Sequence, residues 1–336
     1  MTSRPRTATI RDVAALAGVS VGTASKALNG RGSLRAVTVA RVRQAAEQLG
    51  FRPNPAARGL HQTRTYTVGM VTTDTIGRFS IPLLIGVEDT LGAGQISVLL
   101  CDARDDPIRE RHHLEVLLSR RVDGIIVTGR RAGTRPPIGH DLAVPVVYAF
   151  LASAEAQDCS VVPDEAGGAR LAVEHLITVG RRRIVHITGP QHHHSARVRA
   201  HSVTDHLAAS GLAPVADPLY GEWTEAWGRH GIGILLARQT DFDAVVCGND
   251  QIARGAADAL REAGRHVPRD VAVTGFDNWD VITLASRPPL TSIDLDLEGL
   301  GRAAARLLLQ AIDGKPAPGL HEHPAKLVIR DSTITA

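Results

Sequence analysis

The sequence predicts an α/β protein: an N-terminal all-helical helix-turn-helix head, then two doubly wound parallel-sheet subdomains. Three observations lead there. Two short helices, each with its own cap and joined by a glycine turn, open the chain. Behind them, short apolar runs alternate with helix-length segments, the pattern of a parallel sheet covered on both faces. That alternation restarts once near residue 164, so the 336 residues divide into one small and two larger parts.

In the head, Thr9 and Asp12 form a capping box, and Ile10, Val13, Ala14 and Ala17 give the first helix one apolar face. Gly18 permits a sharp turn, and Ser20 caps the second helix. Ala24, Ala27 and Leu28 point inward. Val21, Gly22, Ser25 and Lys26 are left on the outer side, where a recognition helix meets base edges. A third helix runs from Ala36 to Leu49 with Val39, Val42, Ala45, Ala46 and Leu49 inward, and Gly50 ends it. A helical bundle that binds no DNA shows the same pattern, so charge is the discriminating observation. Residues 1–62 contain ten Arg or Lys and two acids, a net of +8, whereas the remainder carries a net of −5. The positive charge is concentrated where it attracts phosphate. Arg52 to Leu60 reads as a short hinge. Pro53 and Pro55 favour an extended lead-in and a helix start. Arg58 suits phosphate. Leu60 suits a wedge that opens a base step from the minor groove, its alternative being a buried linker leucine.

In the larger body, Tyr66–Thr72, Ile96–Cys101, Val122–Val127 and Pro145–Ala149 read as strands, with helices at Ile81–Leu91 and Pro107–Arg120 between them. The second round has helices at Asp164–Val179, Arg199–Ser210, Trp223–Arg238 and Gln251–Ala263. Its strands are Arg183–Thr188, Ala244–Cys247 and Val271–Gly275. A late helix, Leu297–Ile312, returns to the first subdomain, and a last strand, Lys326–Arg330, to the second. Crossings near 162, 292 and 322 make a three-stranded hinge. The expected boundaries are 8–51 for the head, 52–65 for hinge helix and linker, 66–162 with 292–321 for the first subdomain, and 163–291 with 322–331 for the second. Ligands of open α/β sheets bind beyond the carboxyl ends of the strands. Those ends carry Asp74, Arg130, Thr188, Asn249 with Asp250, and Asp277 with Asn278 and Trp279.

Several classes are disfavoured. No GxGxxG follows the first strand and no GxxxxGK[ST] loop is present, so no nucleotide cofactor is expected. Ser195 lacks a GxSxG context, and no nucleophile, base and orienting group combine into a catalytic set. Asn249–Asp250 with Asp277, and His192–His194 in an expected loop, are weak metal candidates; holding ligand hydroxyls and an exposed polar loop are the plainer readings. Cys101, Cys159 and Cys247 are far apart and lack CxxC spacing, as expected of reduced cysteines in a cytosolic protein. Arg4 and Arg6 precede no apolar run, and no stretch approaches membrane-spanning length, so neither a signal peptide nor a membrane partner is expected.

The run Asp12 to Gly30 matches D-V-A-x-x-A-G-V-S-x-x-T-x-S-x-x-L-N-G almost throughout. On it, residues 9–60 resemble the DNA-binding head and hinge of the lac repressor and galactose repressor family. Ala172–Leu176, Gly180, Arg183–Ile184, Gly189–Pro190, Asn249–Asp250, Gly255, Gly275–Asp277 and Pro289–Thr291 extend the resemblance to about residue 331. The resemblance implies a cytoplasmic, nucleoid-associated transcription regulator, with two subdomains of periplasmic-binding-protein type and a small sugar-like effector in the cleft between them. It implies a homodimer, with a tetramer as the alternative, on a palindromic double-stranded DNA operator. By the same resemblance Val21, Gly22 and Lys26 choose the operator sequence, and Thr23, Ser25 and Asn29 touch phosphates or shape the head. Asn54, Ala57, Arg58 and Leu60 belong to the hinge contact, where Ala56 and Ala57 let two hinge helices meet. Arg199 and Asp277 hold effector hydroxyls. Phe79 and Asn249 fall at pocket positions beside Asp74 and Arg130, and Trp223 and Trp279 suit walls that stack on a sugar ring.

The chain also departs from the family pattern. Gly22 has no side chain for base reading, which shifts discrimination to Lys26 and Val21. Arg35 stands where a serine-like cap is common. Gly77-Arg78-Phe79 replaces Asn-Pro-Phe, and Ala149-Phe150 replaces Asp-Arg. Arg78 and Arg130 therefore bring extra positive charge toward the cleft, which fits either an acidic or phosphorylated sugar or structural ion pairs. The other function classes are a sugar-binding transport protein, against which the basic head argues, and a carbohydrate or phosphoryl enzyme, against which the missing catalytic set argues.

Overall fold

The computed structural model describes residues 8–28, 33–51 and 64–334. It divides into two compact units, Met1–Thr65 and Tyr66–Ala336.

The small unit holds α1 (Ile10–Leu16), α2 (Val21–Leu28) and α3 (Ala36–Gln48). Thr9 accepts the Asp12 N–H while Asp12 accepts the Thr9 N–H, so the capping box is closed at both ends. Gly18 turns the chain with φ +61°, and Ser20 accepts the Thr23 N–H at 3.1 Å to start α2. Val13, Ala14, Ala24, Ala27, Val42 and Ala45 form the core. The small side chains let three short helices pack closely. Arg35 precedes α3 without a side-chain cap bond. The expected contacts Asn29, Asn54, Ala57, Arg58 and Leu60 lie outside the described residues.

The large unit contains β1 (Thr67–Thr72), α4 (Ser80–Gly92), β2 (Ser97–Asp102), α5 (Pro107–Ser119), β3 (Gly124–Val127), β4 (Thr134–Arg135), β5 (Val146–Ala149), β6 (Ala152–Ser153) and β7 (Cys159–Pro163). Then follow α6 (Glu165–Thr178), β8 (Ile184–Thr188), α7 (His194–Ala209), β9 (Leu219–Tyr220), α8 (Glu225–Ala237), β10 (Ala244–Cys247), α9 (Asp250–Glu262), β11 (Ala272–Phe276) and α10 (Asp280–Thr283). The chain ends with β12 (Thr291–Asp294), α11 (Leu297–Ile312), β13 (Gly319–His323) and β14 (Lys326–Val328).

Twelve strands form two six-stranded sheets, ordered β13-β7-β5-β3-β1-β2 and β14-β12-β11-β10-β8-β9, and β4 pairs with β6 in a separate two-stranded ribbon. Every pairing is parallel except β12 with β14. The centres of β1, β3 and β10 are apolar and buried, and β8 and β11 bury His186 and Thr274 among apolar neighbours, because helices cover both faces. The chain passes between sheets after Pro163, Asp294 and His323, where the ladders of β7, β12 and β13 end. The crossings are tied together. Asp296 accepts from His323 Nε2 at 3.0 Å and Lys326 Nζ at 3.1 Å, and the Asp164 N–H donates to the His323 carbonyl.

Two expected helix starts are corrected. Helix α7 begins at His194, not Arg199, so His194 is helical and only His192 and His193 precede it. Helix α8 begins at Glu225 with Thr224 as its cap, which leaves Trp223 in the lead-in rather than in the first turn.

The two halves use the same packing device. A Cβ on Gly86 of α4 would lie 1.9 Å from the Glu298 carbonyl oxygen, and one on Gly301 of α11 would lie 2.1 Å from that of Leu83. In the second half, a Cβ on Gly228 of α8 would lie 2.1 Å from the Ile252 oxygen, and one on Gly255 of α9 2.0 Å from that of Glu225. Each helix pair crosses backbone to backbone through reciprocal glycines. These crossings set the position of the helix starts, and with them the loops at the carboxyl ends of the strands.

Candidate functional site

On the head, Val21, Gly22 and Lys26 are exposed, and Thr23 and Ser25 are half-buried. The Thr23 hydroxyl lies 2.9 Å from Ser20 Oγ, within the cap of α2. A Cβ at Gly22 would meet only Ser20 Oγ, at 3.9 Å. Packing therefore does not require glycine there, and the bare surface faces outward. Arg11, Arg35, Arg41 and Arg43 are exposed beside Lys26 on the same small unit, so its charge faces solvent as phosphate binding demands.

In the large unit, polar groups converge where β8, β10 and β11 end. The Arg199 side chain is 6% exposed; it donates to Glu165 Oε1 at 2.7 Å and to the Gly248 carbonyl at 2.5 Å. Its guanidinium lies 3.6 Å from the Phe276 ring centre and 3.5 Å from Asp277 Oδ1. Glu165 Oε2, Arg199 Nε, Thr188 Oγ1 and Asp277 Oδ1 are buried without hydrogen-bond partners. Such orphans are costly in a native fold unless water, an ion or a polar ligand satisfies them. Asp277 also sits at φ +94°, outside the usual range for a side-chain-bearing residue, which holds its carboxylate toward the other half. Burial pushes the Asp277 carboxyl up from its ordinary range, against the pull of Arg78 and Arg199.

The first half meets this group through the loop from β1 to α4. Asp74 Oδ2 accepts the N–H groups of Phe79 and Ser80 at 2.8 and 2.9 Å, so Asp74 braces the loop and caps α4. Phe79 stacks on Phe150 with ring centres 4.7 Å apart. Arg78 reaches across to Asp277 Oδ2 at 2.5 Å. A cavity of about 430 Å³ lies alongside, lined by Arg78, Phe79, Asp277, Asn278, Trp279 and hinge residues including Asp294 and Asp296.

The other expected residues are distributed differently. Trp223 donates from Nε1 to His193 Nδ1 at 2.7 Å and lies over Gly189, where a Cβ would meet its ring. Asn249 accepts the Ile252 N–H at 2.8 Å, so its oxygen caps α9. Arg130 pairs with Asp105 at 2.9 Å in a separate recess of about 260 Å³ that it shares with Thr73, Asp106 and Arg131. Both extra arginines thus sit in ion pairs. Among the described residues, no three His, Cys, Asp or Glu side chains are grouped to hold a metal.

Sequence reasoning missed Glu165, Phe150, Phe276 and the cross-cleft role of Arg78. The departure Gly77-Arg78-Phe79 was the available signal for Arg78. Glu165 gave none, since a carboxylate in a first helical turn is ordinary.

Asp250 lies beneath the site. Its carboxylate accepts from Ser292 Oγ at 2.5 Å and from the Trp279 N–H at 2.7 Å, and burial, then nearby Asp277, push it up to about 7. Because the folded value exceeds the unfolded one of about 4, its stabilising contribution is full below about pH 4 and lost as pH rises through about 7. Asp250→Asn is therefore expected to raise the melting midpoint near pH 8, with the gain shrinking toward pH 5. Melting curves across that range check it; a pH-independent difference counts against the ionisation. Buried His186, held down to about 4 by burial, has the opposite sign: its contribution is present above about pH 6.5 and lost as pH falls through about 4.

A helix-turn-helix head joined to a two-sheet body with a polar interdomain cleft defines a ligand-responsive DNA-binding transcription regulator. Residues 9–54 match the family described as bacterial regulatory proteins, lacI family, and residues 173–333 match a periplasmic binding protein-like domain. The HTH-type transcriptional regulator CelR of Thermobifida fusca is 34% identical over 335 residues, which cover 97% of this chain and 96% of that protein. The structure of the lac repressor dimer bound to operator and the anti-inducer ONPF superposes with a TM-score of 0.79 at 27% identity, covering 98% of this chain and 100% of that one. A transcriptional regulator CelR–cellobiose complex matches with a TM-score of 0.67 at 31% identity, covering 97% and 99%. The chain belongs to the lacI family of bacterial regulatory proteins.

Proposed function

We propose that this chain is a cytoplasmic repressor that binds a palindromic operator as a homodimer and is controlled by a small sugar-like effector in the cleft of the large unit. The observation that carries the effector reading is the buried set Glu165, Arg199 and Asp277, which holds orphaned donors and acceptors and reaches the cavity through Asp277. Hydroxyls, which both donate and accept, satisfy such a mixed set. The solved CelR–cellobiose complex supports the same class of ligand. An exposed apolar stripe supports dimerisation. Ile81 and Ile85 lie one turn apart on α4, and α4 packs beside edge strand β2, which exposes Leu100. In the head, Val21, Gly22 and Lys26 are assigned to bases, and Thr23, Ser25 and Asn29 to phosphates or module shape. Asn54, Ala57, Arg58 and Leu60 are assigned to the minor-groove hinge. An effector that binds one arrangement of the cleft more tightly than another shifts the population of operator-competent dimers.

The test is a gel shift of the full chain on palindromic duplexes selected from a random library. Sequence-specific binding is expected. Lys26→Ala should cost roughly tenfold or more in discrimination at the base it reads while leaving non-specific binding largely in place. Absence of any sequence-specific binding overturns the reading.

A further inference from the structure

Arg78 is the residue of the cleft that the effector reading does not use. It stands in a loop built to hold it. Gly77 turns the backbone with φ +80°, and the two N–H groups that follow Arg78 are fixed on Asp74. From the first half, its guanidinium crosses to the second. It donates to Asp277 Oδ2 at 2.5 Å and Gln251 Oε1 at 3.3 Å, and lies 4.6 Å from the Trp279 ring centre. It also lies 4.9 Å from the ring centre of its own neighbour Phe79. The side chain is only 14% exposed, and Arg78, Phe79, Asp277 and Trp279 all line the same cavity. A planar cation in contact with two aromatic rings and paired with a carboxylate is held as a bound ligand would be.

We propose that Arg78 is a tethered competitor for the effector: its guanidinium occupies the carboxylate and aromatic faces an effector needs, and the pair it makes with Asp277 latches the two halves closed. This deepens the effector-cleft reading and rests on it only for the identity of what displaces the arginine. Effector entry is then an exchange. The incoming molecule must donate to Asp277 and also accept from the released Arg78, since a buried guanidinium left unpaired is costly. The charges of Arg78, Arg199, Glu165 and Asp277 cancel, and the cavity wall adds the carboxylates of Asp280, Asp294, Asp296 and Glu298. An uncharged polyol whose hydroxyls slot between Arg78 and Asp277 adds no charge to that wall, whereas an acid or a phosphate ester meets its repulsion. The latch also lowers apparent effector affinity by the fraction of molecules in which it is closed.

The test needs no effector. A side chain on a short tether acts at a millimolar effective concentration. Free methylguanidinium should therefore bind the full-length Arg78→Ala protein with a midpoint in the millimolar range. The expected result is a saturable rise in melting temperature for Arg78→Ala, absent from the unmutated chain and from Arg78→Ala combined with Asp277→Asn, against sodium chloride of equal ionic strength. An identical response in all three proteins overturns the proposal. Should Arg78→Ala fail to fold, Arg78→Met keeps the apolar stem between the rings. Pulsed electron paramagnetic resonance between one spin label on each half then reads the latch. Arg78→Met should broaden the distance distribution or shift it by several ångström, and an unchanged distribution overturns the latch. Failure of sugars to bind the unmutated chain bears on the effector reading and leaves these readouts as they are.

Discussion

Arg199→Ala is expected to lower the stability of the large unit by about 3–5 kcal/mol, because it strands the buried Glu165 carboxylate and takes one of two cations from Asp277. The side chains of Arg199, Glu165 and Asp277 are 6%, 4% and 7% exposed, so water offers little replacement solvation. Glu165 Oε1 and the Gly248 carbonyl both lose a donor. Asp277 retains Arg78, but Glu165 has no other cation within ion-pair distance among the described residues. The loss should deepen with pH. Removing the cation raises the Asp277 carboxyl further, and a carboxyl with a raised folded value favours the fold below its unfolded value and loses that contribution as pH increases. All three tryptophans, Trp223, Trp227 and Trp279, lie in the large unit, so urea unfolding followed by tryptophan fluorescence reports that unit alone. A loss under about 1 kcal/mol, or one that shrinks between about pH 5 and about pH 8, contradicts the pairing scheme. Because Arg199 lies 3.5 Å from Asp277, which lines the cavity, the same substitution should also weaken saturable effector stabilisation.

This group shows where sequence legibility stops. That Asp277 and Asn249 stand near the ends of strands follows from the alternation of apolar runs and helices, since a doubly wound sheet puts all such ends on one side. Arg199, inside α7, is assigned to the cleft only through the family resemblance. Which partner each chooses does not follow. Arg78 and Asp277 are 199 residues apart, and no local pattern announces their pairing. Asn249 and Asp74 look like cleft residues in sequence, yet each spends an oxygen on a helix start. The same residue type at a strand end serves as cap or as ligand, and only the adjoining backbone decides.

The fold was most legible where burial is strongest. The centres of β1, β3, β8, β10 and β11 read as apolar runs because both their faces are covered, and the capping box and glycine turn of the head are local signals that the structure repeats. Strand β13, Gly319–His323, was invisible as a strand. It is an edge strand with two histidines and a glutamate, and its burial alternates between half-buried and exposed. Helix α7 began earlier than its pattern suggested because His193 and His194 resemble a polar loop, although a first helical turn tolerates them. The residues that tie the hinge, Asp296, His323 and Lys326, were missed for a related reason. They come from two separate crossings, and no local pattern joins one crossing to another.

The glycine crossings give the other large effect, and one helix supplies both the test and its control. Gly228 and Gly233 both belong to α8. A Cβ at Gly228 would lie 2.1 Å from the Ile252 carbonyl oxygen, which is backbone and cannot swing aside, whereas a Cβ at Gly233 would have nothing within 4 Å. Gly228→Ala must force α8 off α9 and disturb a core that includes Ile232, Leu235, Ile252 and Ala256. Overpacking of a dense core costs roughly 1–3 kcal/mol, and the rigid backbone contact here places the expected loss at the upper end or beyond. Gly233→Ala should instead stabilise by about 0.4–1 kcal/mol, because alanine restricts the unfolded chain and favours the helix without meeting anything. Urea midpoints at constant m-value measure both. If both substitutions move the midpoint the same way, helix propensity rather than the backbone crossing governs α8. Opposite signs establish that the crossing demands glycine. Since α9 begins directly after Asn249 and carries Asp250 in its first turn, displacing it should also loosen the hydrogen bond from the Trp279 N–H to Asp250. Gly228→Ala is therefore expected to weaken effector binding by more than Gly233→Ala, although neither glycine lines the cavity.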